Sequence, residues 1–140
     1  MNLPLAILSG GLGTRLLPLT NDLPKAMLKI CGEPFVHWQI TLLVKSGIEK
    51  IVYCSGFKSE IIENYLEDGS RYGIEIEFSH DGPEPLGTAG ALKKAIPKLG
   101  EQFMVIYGDS FLPIDYRAVE KAFELSKKPA LMTVFFNEGK

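Results

Sequence analysis

Three glycines lie within four positions near the start of the chain, directly after a short apolar run, and two basic residues follow them. Glycine lets the backbone approach a ligand closely and adopt positive φ at little cost. Successive free N–H groups in such a turn form a concave site for anions. With two cations beside it, this stretch fits a polyphosphate better than any other class of ligand. The residues concerned are Gly10, Gly11, Gly13, Arg15 and Lys25.

The spacing of these glycines differs from that of the two commonest phosphate-binding loops. A P-loop needs Lys-Ser or Lys-Thr at a fixed distance after its glycines, and neither pair is present there. The dinucleotide fingerprint G-x-G-x-x-G begins at Gly11, but Leu16 stands where its third glycine should be. The alternative is a tight turn that binds no ligand, and the charges of Arg15 and Lys25 weigh against it.

Apolar runs alternate with segments of helical periodicity along the chain, which predicts an α/β fold. We expect a Rossmann-like, mainly parallel sheet with helices on both faces and right-handed crossovers. Residues 103–107 are entirely apolar and therefore predict a central strand, whereas the alternation in residues 74–79 predicts an edge strand. The other predicted strands are 3–8, 48–54 and 130–136, with a short extended piece at 26–30.

Helices are predicted at residues 35–46, at 59–68 with Ser59 as its cap, and from after Gly90 to about residue 96. A last helix is predicted after Asp115, which we expect to cap it. Its inner face is predicted to consist of Val119, Ala122 and Phe123.

Three loops with polar or glycine-rich sequences follow predicted strands, at residues 10–25, 80–90 and 108–110. In a parallel sheet, ligands bind outside the carboxyl ends of the strands, so these loops should lie together. Asp109 follows the apolar run between two small residues, and carboxylate oxygens suit Mg²⁺, which completes its shell with phosphate and water. The alternative role is a cap for the next turn; beside a phosphate loop the metal is favoured.

The motif G-G-x-G-T-R-L-x-P-L-T-x-x-x-P-K-x-x-L, from Gly10 to Leu28, closely resembles the signature of the sugar-1-phosphate nucleotidylyltransferases, also called NDP-sugar pyrophosphorylases. The resemblance implies that Arg15 and Lys25 bind phosphate and take part in catalysis, and that Asp109 binds magnesium with a second aspartate much further along. It also implies a set of nucleotide contacts. These are Leu8, Gly10, Gly11, Gly13, Thr14, Glu84, Gly87 and Thr88.

The segment E-P-L-G-T-A-G, which begins at Glu84, resembles the base-reading segment of the mannose- and heptose-1-phosphate guanylyltransferases. An ionised Glu84 accepts hydrogen bonds only, so it matches the N1–H and N2–H₂ edge of guanine and matches uracil poorly. The resemblance therefore favours GTP as the nucleotide. An ordinary loop at the start of a helix is the alternative. His80 is expected to be a loop residue and not a general base.

The composition is that of a globular protein and excludes several other classes. The net charge of −2 provides no basic field for nucleic acid or an acidic membrane, and no apolar run is long enough to cross a bilayer. Cys31 and Cys54 lack metal-ligand spacing and are expected to be buried thiols of a cytoplasmic protein without a signal peptide. A homo-oligomer is compatible with this interpretation.

The expected function is nucleotidyl transfer from an NTP to a sugar 1-phosphate with Mg²⁺, which gives an NDP-sugar and pyrophosphate. Family members are longer, so residues 1–140 are expected to be the nucleotide-binding part of a nucleotidylyltransferase domain, without the sugar-binding part. Such a segment should bind an NTP weakly and turn over little. The alternative is a non-catalytic domain of the same fold, used for regulation or assembly. A dinucleotide oxidoreductase ranks third because the last fingerprint glycine is absent.

Overall fold

A computed structural model describes residues 3–139 and contains a four-stranded sheet in which all neighbouring strands are parallel. The strands, in chain order, are β1 (Leu5–Ser9), β2 (Lys29–Ile30), β3 (Glu33–Pro34), β4 (Lys50–Ser55), β5 (Glu75–His80) and β6 (Met104–Tyr107). The spatial order of the four strands in the sheet is β5-β4-β1-β6. Strands β2 and β3 form a small antiparallel hairpin before the first helix.

Four α-helices connect or follow these strands, and they cover both faces of the sheet. The helices are α1 (Phe35–Lys45), α2 (Ser59–Leu66), α3 (Gly87–Leu99) and α4 (Tyr116–Ser126). Because successive side chains of β1 point to opposite faces, Leu5 and Ile7 pack in the core cluster that contains α1, whereas Ala6 packs in the one that contains α3. The predicted fold class, a parallel sheet with helices on both faces, is confirmed.

Two strand predictions are wrong. Strand β6 pairs only with β1 within the described residues, so it lies at the edge of the sheet, and its Val105 and Tyr107 are 41% and 56% exposed. Residues 130–136 form no strand, and the side chains of Met132 and Phe135 point into solvent. An apolar run becomes a strand only where a partner strand is available, because strand preference depends mostly on the neighbours.

The predictions for helix ends have mixed outcomes. The Asp115 side chain accepts a hydrogen bond from the Ala118 N–H (3.0 Å), so it caps α4 as predicted. Ser59 does not cap α2: the cap position is Lys58, in a left-handed conformation with φ 51°, and no side chain bonds the helix end. Helix α3 begins at Gly87, within the segment predicted to lead into it, and extends to Leu99, past the predicted end near residue 96.

Three local predictions need correction. The buried residues of α4 are Tyr116 and Glu120, whereas the predicted inner residue Ala122 is exposed. The predicted extended piece at 26–30 is a 3-10 turn (Lys25–Met27) followed by β2. Both cysteines are free, but only Cys54 is buried. Within the described residues, no helix is long and apolar enough to cross a membrane.

Candidate functional site

The ends of β1 and β6 meet at the carboxyl edge of the sheet, and this junction positions Asp109. The Gly108 N–H donates a hydrogen bond to the Leu8 carbonyl (2.7 Å). A Cβ on Gly108 would lie 2.7 Å from the Cβ of Ser9, so only glycine allows the two strand ends to come this close. The turn that contains Asp109 therefore lies directly beside the opening loop. The Leu8 carbonyl is itself used in this junction.

Lys25 and Asp109 form an ion pair across this junction. The Lys25 ammonium donates a hydrogen bond to Asp109 Oδ2 at 3.0 Å, and the two side chains are 45% and 55% exposed. Lys25 lies in the 3-10 turn at the far end of the opening loop. The structure thus brings together a cation and a carboxylate that the sequence placed in two separate loops.

The opening turn at Gly11 is open to solvent. A Cβ on Gly11 would meet no atom within 4 Å, and no hydrogen bond within residues 3–139 is donated by the backbone N–H groups of Gly11, Leu12 and Gly13. Gly13 is left-handed with φ 65°, and the Thr20 hydroxyl donates to its carbonyl at 2.8 Å. This turn therefore presents free backbone N–H groups that can donate hydrogen bonds to an anion.

Arg15 and Thr14 lie on the 3-10 turn that follows these glycines, and both are exposed. Within the described part of the chain, the Arg15 guanidinium forms no ion pair or hydrogen bond, and so it does not contact Asp109. The guanidinium is therefore available to a ligand.

The predicted base-reading loop is joined to the opening turn by a buried carboxylate. Asp81 follows β5, and its Oδ2 accepts a hydrogen bond from the Leu86 N–H at 3.2 Å. A Cβ on Gly10 would lie 2.8 Å from the same oxygen. Asp81 thus links the loop after β5 to the turn after β1.

The three predicted residues of that loop are exposed at the start of α3. Glu84 lies in the loop, Gly87 is the first residue of the helix with φ 71°, and Thr88 follows in the first turn. Within the described residues, the side chains of Glu84 and Thr88 form no hydrogen bond or ion pair. The helix N-terminus here carries a partial positive charge.

Sequence reasoning missed two residues at this edge of the sheet, Asp81 and Gln39. Gln39 is 1% exposed on α1, and its Nε2 donates to the Tyr107 carbonyl (3.0 Å) and the Ser110 carbonyl (2.7 Å). A signal for Gln39 existed: it lies between Val36 and Leu43 on the buried stripe of α1, and the other residues of that stripe are apolar. A polar residue in such a stripe requires hydrogen-bond partners.

His80 is the last residue of β5 and belongs to a hydrogen-bond chain beside the site. Its Nδ1 lies 3.2 Å from the Ser55 hydroxyl oxygen, and its Nε2 lies 2.6 Å from Glu63 Oε1. This arrangement resembles the order of groups around an activated serine. Ser55 is 0% exposed, however, so its hydroxyl is closed to a substrate. The contacts of Ser55, His80 and Glu63 instead connect β4, β5 and α2.

Two further groups near the site stay protonated around neutral pH. Burial raises the pKa of Tyr53 to about 12, and the Ser9 hydroxyl opposes that rise. Burial raises the pKa of the Cys54 thiol to about 11, and the negative charge of Asp81 adds to the rise. Cys54 is therefore a buried structural thiol and not a nucleophile.

A divalent metal fits this site only together with a phosphate ligand. Within the described residues, no group of three or more His, Cys, Asp or Glu side chains could hold a metal ion. Asp109 supplies one exposed carboxylate beside the open turn. Mg²⁺ is usually bound by one or two carboxylates plus substrate phosphates and water, and the donor set here fits that arrangement.

Three comparisons with known proteins show what the chain is similar to. Residues 5–139 match the family model described as nucleotidyl transferase. The chain is 45% identical over 113 residues to a D-glycero-alpha-D-manno-heptose 1-phosphate guanylyltransferase of Aneurinibacillus thermoaerophilus, covering 79% of this chain and 48% of that protein. It is 40% identical over 116 residues to an N-acetylmuramate alpha-1-phosphate uridylyltransferase of Neisseria meningitidis, covering 80% and 49%.

The fold is similar to that of HddC from Yersinia pseudotuberculosis, solved in complex with GMP-PN. The TM-score is 0.76 at 32% identity, and the match covers 86% of this chain and 53% of that one. The chain spans about half the length of the relatives that it matches.

Proposed function

Since the chain belongs to the nucleotidyl transferase family, we propose that it forms the nucleotide-binding part of an enzyme that transfers a nucleotidyl group from an NTP to a sugar 1-phosphate. The products are an NDP-sugar and pyrophosphate. The observation that supports this most directly is the meeting of Lys25 and Asp109 at 3.0 Å beside the open turn at Gly11. Relatives named as sugar-1-phosphate guanylyl- and uridylyltransferases support the same reaction.

The proposed reaction needs positioning and charge neutralisation more than covalent help from the protein. An oxygen of the sugar phosphate attacks the α-phosphorus of the NTP, the bond to the β-phosphate oxygen breaks, and pyrophosphate leaves. The attacking phosphate is already ionised, so no general base is required. Holding the two reactants in line and stabilising the developing charge supply most of the rate.

The roles of the basic residues follow from their exposure and chemistry. The Arg15 guanidinium is free of protein partners in the described residues and can bind departing phosphate oxygens through a two-pronged fork. The free N–H groups at Gly11–Gly13 receive further phosphate oxygens. Lys25 acts as a mobile point charge. When the nucleotide binds, its ammonium moves away from Asp109 and contacts the phosphates.

Asp109 is the residue that would hold Mg²⁺, which supplies neutralisation of the triphosphate charge when bound. The carboxylate is 55% exposed and, among residues 3–139, has only Lys25 as its partner, so little free energy is needed to redirect it. Nucleotide binding by this chain should therefore depend on a divalent metal.

Binding of Mg²⁺·GTP, measured by titration calorimetry, tests the proposed site. Asp109→Ala should abolish the metal-dependent part of the affinity and Lys25→Ala should reduce it about tenfold or more, because each removes one charge from the triphosphate site. The melting temperature should hardly change, since an exposed ion pair contributes about 0–1 kcal/mol. Glu101→Ala is the control, because it removes an exposed carboxylate in the bend before β6, whereas Asp109 follows the opposite end of that strand.

Unchanged, metal-independent binding by Asp109→Ala would contradict the proposed site. It would favour the other function considered for this fold, a non-catalytic domain for regulation or assembly.

We propose GTP as the preferred nucleotide because Glu84 is an exposed acceptor without a protein partner in the described residues. Thermal shifts with GTP, ATP, UTP, CTP and dTTP measure the preference. GTP should give the largest shift, and Glu84→Ala should lower the GTP shift to that of the other nucleotides. A larger shift with UTP in the unaltered chain would refute the role of Glu84. The known relatives include both guanylyl- and uridylyltransferases.

A further inference from the structure

Gln39 is a polar residue on the buried face of a helix whose other buried residues are apolar. Its neighbours on this stripe of α1 are Val36, Ile40 and Leu43, all 0% exposed. A buried side-chain amide is unfavourable unless its polar atoms find partners. Its contacts therefore indicate why an amide is retained at this position.

Both N–H groups of the Gln39 amide bind the turn that carries Asp109. Nε2 donates to the Tyr107 carbonyl at 3.0 Å and to the Ser110 carbonyl at 2.7 Å. The Ser110 N–H also donates to the Tyr107 carbonyl at 3.1 Å, which closes a four-residue turn. The Gln39 amide thus joins the first and last residues of the turn, and Asp109 lies between them.

The other end of the amide supports a role beyond packing. Gln39 Oε1 is buried and has no hydrogen-bond partner within the described residues. Rotating the amide would not relieve this, because Oε1 would then face two carbonyl oxygens. The helix therefore keeps one unsatisfied acceptor in order to place two donors against the turn. A methionine of similar length would avoid that cost, so packing alone does not account for glutamine.

Asp109 needs such support because nothing else described holds its side chain except Lys25, 3.0 Å away. We infer that Gln39 is a positioning residue, which fixes the backbone of the Tyr107–Ser110 turn so that the Asp109 carboxylate is held ready for the metal-bound triphosphate. This inference rests on the proposed role of Asp109. Residues that orient a metal ligand from behind commonly matter nearly as much as the ligand itself.

The test compares Gln39→Met with the unaltered chain. Mn²⁺ replaces Mg²⁺ as the probe, and its affinity in the presence of saturating GTP is measured by electron paramagnetic resonance. Gln39→Met should weaken Mn²⁺ binding by about 10–100-fold. Its affinity for GTP without metal should not change, because no base or turn contact at Gly11 is altered.

A packing variant of the same helix separates positioning from stability. Ile40→Val shortens a buried neighbour of Gln39 without touching the turn and should retain Mn²⁺ affinity, with melting temperatures recorded for both variants. If Gln39→Met does not fold, Gln39→Glu provides the second variant, because it keeps the side-chain shape and can donate to at most one of the two carbonyls. The same loss of Mn²⁺ affinity is expected.

Amide hydrogen exchange gives a readout that needs no ligand. The Ser110 N–H should exchange faster in Gln39→Met than in Ile40→Val, whereas the amides of β1 should be equally protected in both. Wild-type Mn²⁺ affinity in a folded Gln39→Met would overturn the inference while leaving the proposed function intact. Absence of Mn²⁺·GTP binding by the unaltered chain would instead refute the proposed function, and the inference with it.

Discussion

Lys25 and Asp109 are 84 residues apart in the chain, yet their side chains form an ion pair at 3.0 Å. Both are about half exposed, and ion pairs of this kind contribute about 0–1 kcal/mol to folding. Their meeting therefore has little value for stability, and a role toward a ligand explains it better. A role toward a ligand also explains Arg15 better than stability does, because Arg15 is exposed without a protein partner in the described residues.

Gly10 and Gly11 form a matched pair for a prediction at the residue scale. Gly10→Ala should lower the free energy of unfolding by about 1–3 kcal/mol, because its Cβ would lie 2.8 Å from Asp81 Oδ2 and force the loop after β5 to move. Gly11→Ala should leave stability unchanged, since its Cβ would meet nothing within 4 Å and its φ is not positive. Chemical denaturation measures both.

The affinity for nucleotide should change in Gly11→Ala even though its stability does not. Gly11→Ala should remain fully folded yet bind Mg²⁺·GTP more weakly, because the added methyl group stands where phosphate would approach the backbone. Undiminished affinity in Gly11→Ala would speak against the opening turn as the phosphate site.

The sequence allowed Lys25 and Asp109 to be predicted together because both follow strands of one parallel sheet. Gln39 and Asp81 escaped prediction for a physical reason. Gln39 contacts a carbonyl 71 positions away, and Asp81 acts on the turn at Gly10. Such contacts depend on how elements pack, which periodicity within a single segment does not determine.

At the scale of elements, the junction of β1 and β6 determines the site. Leu5 to Leu8 pair in parallel with residues Met104 to Tyr107, so the two strands end at the same level. The Gly108 N–H continues this pairing by one residue to the Leu8 carbonyl. These backbone hydrogen bonds bring the turn that carries Asp109 beside the first residues of the opening loop, and the Gln39 amide holds the same turn from α1.

The two predicted helix caps offer a direct comparison. Asp115→Ala should lower the free energy of unfolding by about 1 kcal/mol, because Asp115 bonds the Ala118 N–H at 3.0 Å. Ser59→Ala should have an effect below about 0.5 kcal/mol, because its side chain caps nothing. Urea denaturation of both variants checks this, and equal effects would contradict the assignment of the caps.

The elements themselves were mostly predictable, and the failures share one cause. Hydrophobic periodicity predicted α1, α2 and β4 to within a few residues. The apolar runs at 103–107 and 130–136 predict a central strand and a further strand, whereas β6 lies at the edge and residues 130–136 form no strand and are exposed. A run of apolar residues carries no information about which strand will pair with it.

At the scale of the whole molecule, the sheet separates the core from the site. Two apolar clusters pack on opposite faces of the sheet. The three loops that carry the candidate site residues lie at the carboxyl ends of its strands. This is the general arrangement of ligand sites in open α/β sheets. The chain spans about half the length of the two transferases compared above.

We propose that the opening turn and Asp109 converge on one metal-bound triphosphate. Paramagnetic broadening by Mn²⁺ with GTP, observed in amide NMR spectra, measures this directly because broadening falls steeply with distance from the metal. The amide signals of residues 10–14 and of residues 108–110 should broaden together, and Asp109→Ala should abolish the effect at both. Broadening confined to one of the two segments, or centred on another face of the sheet, would contradict the account.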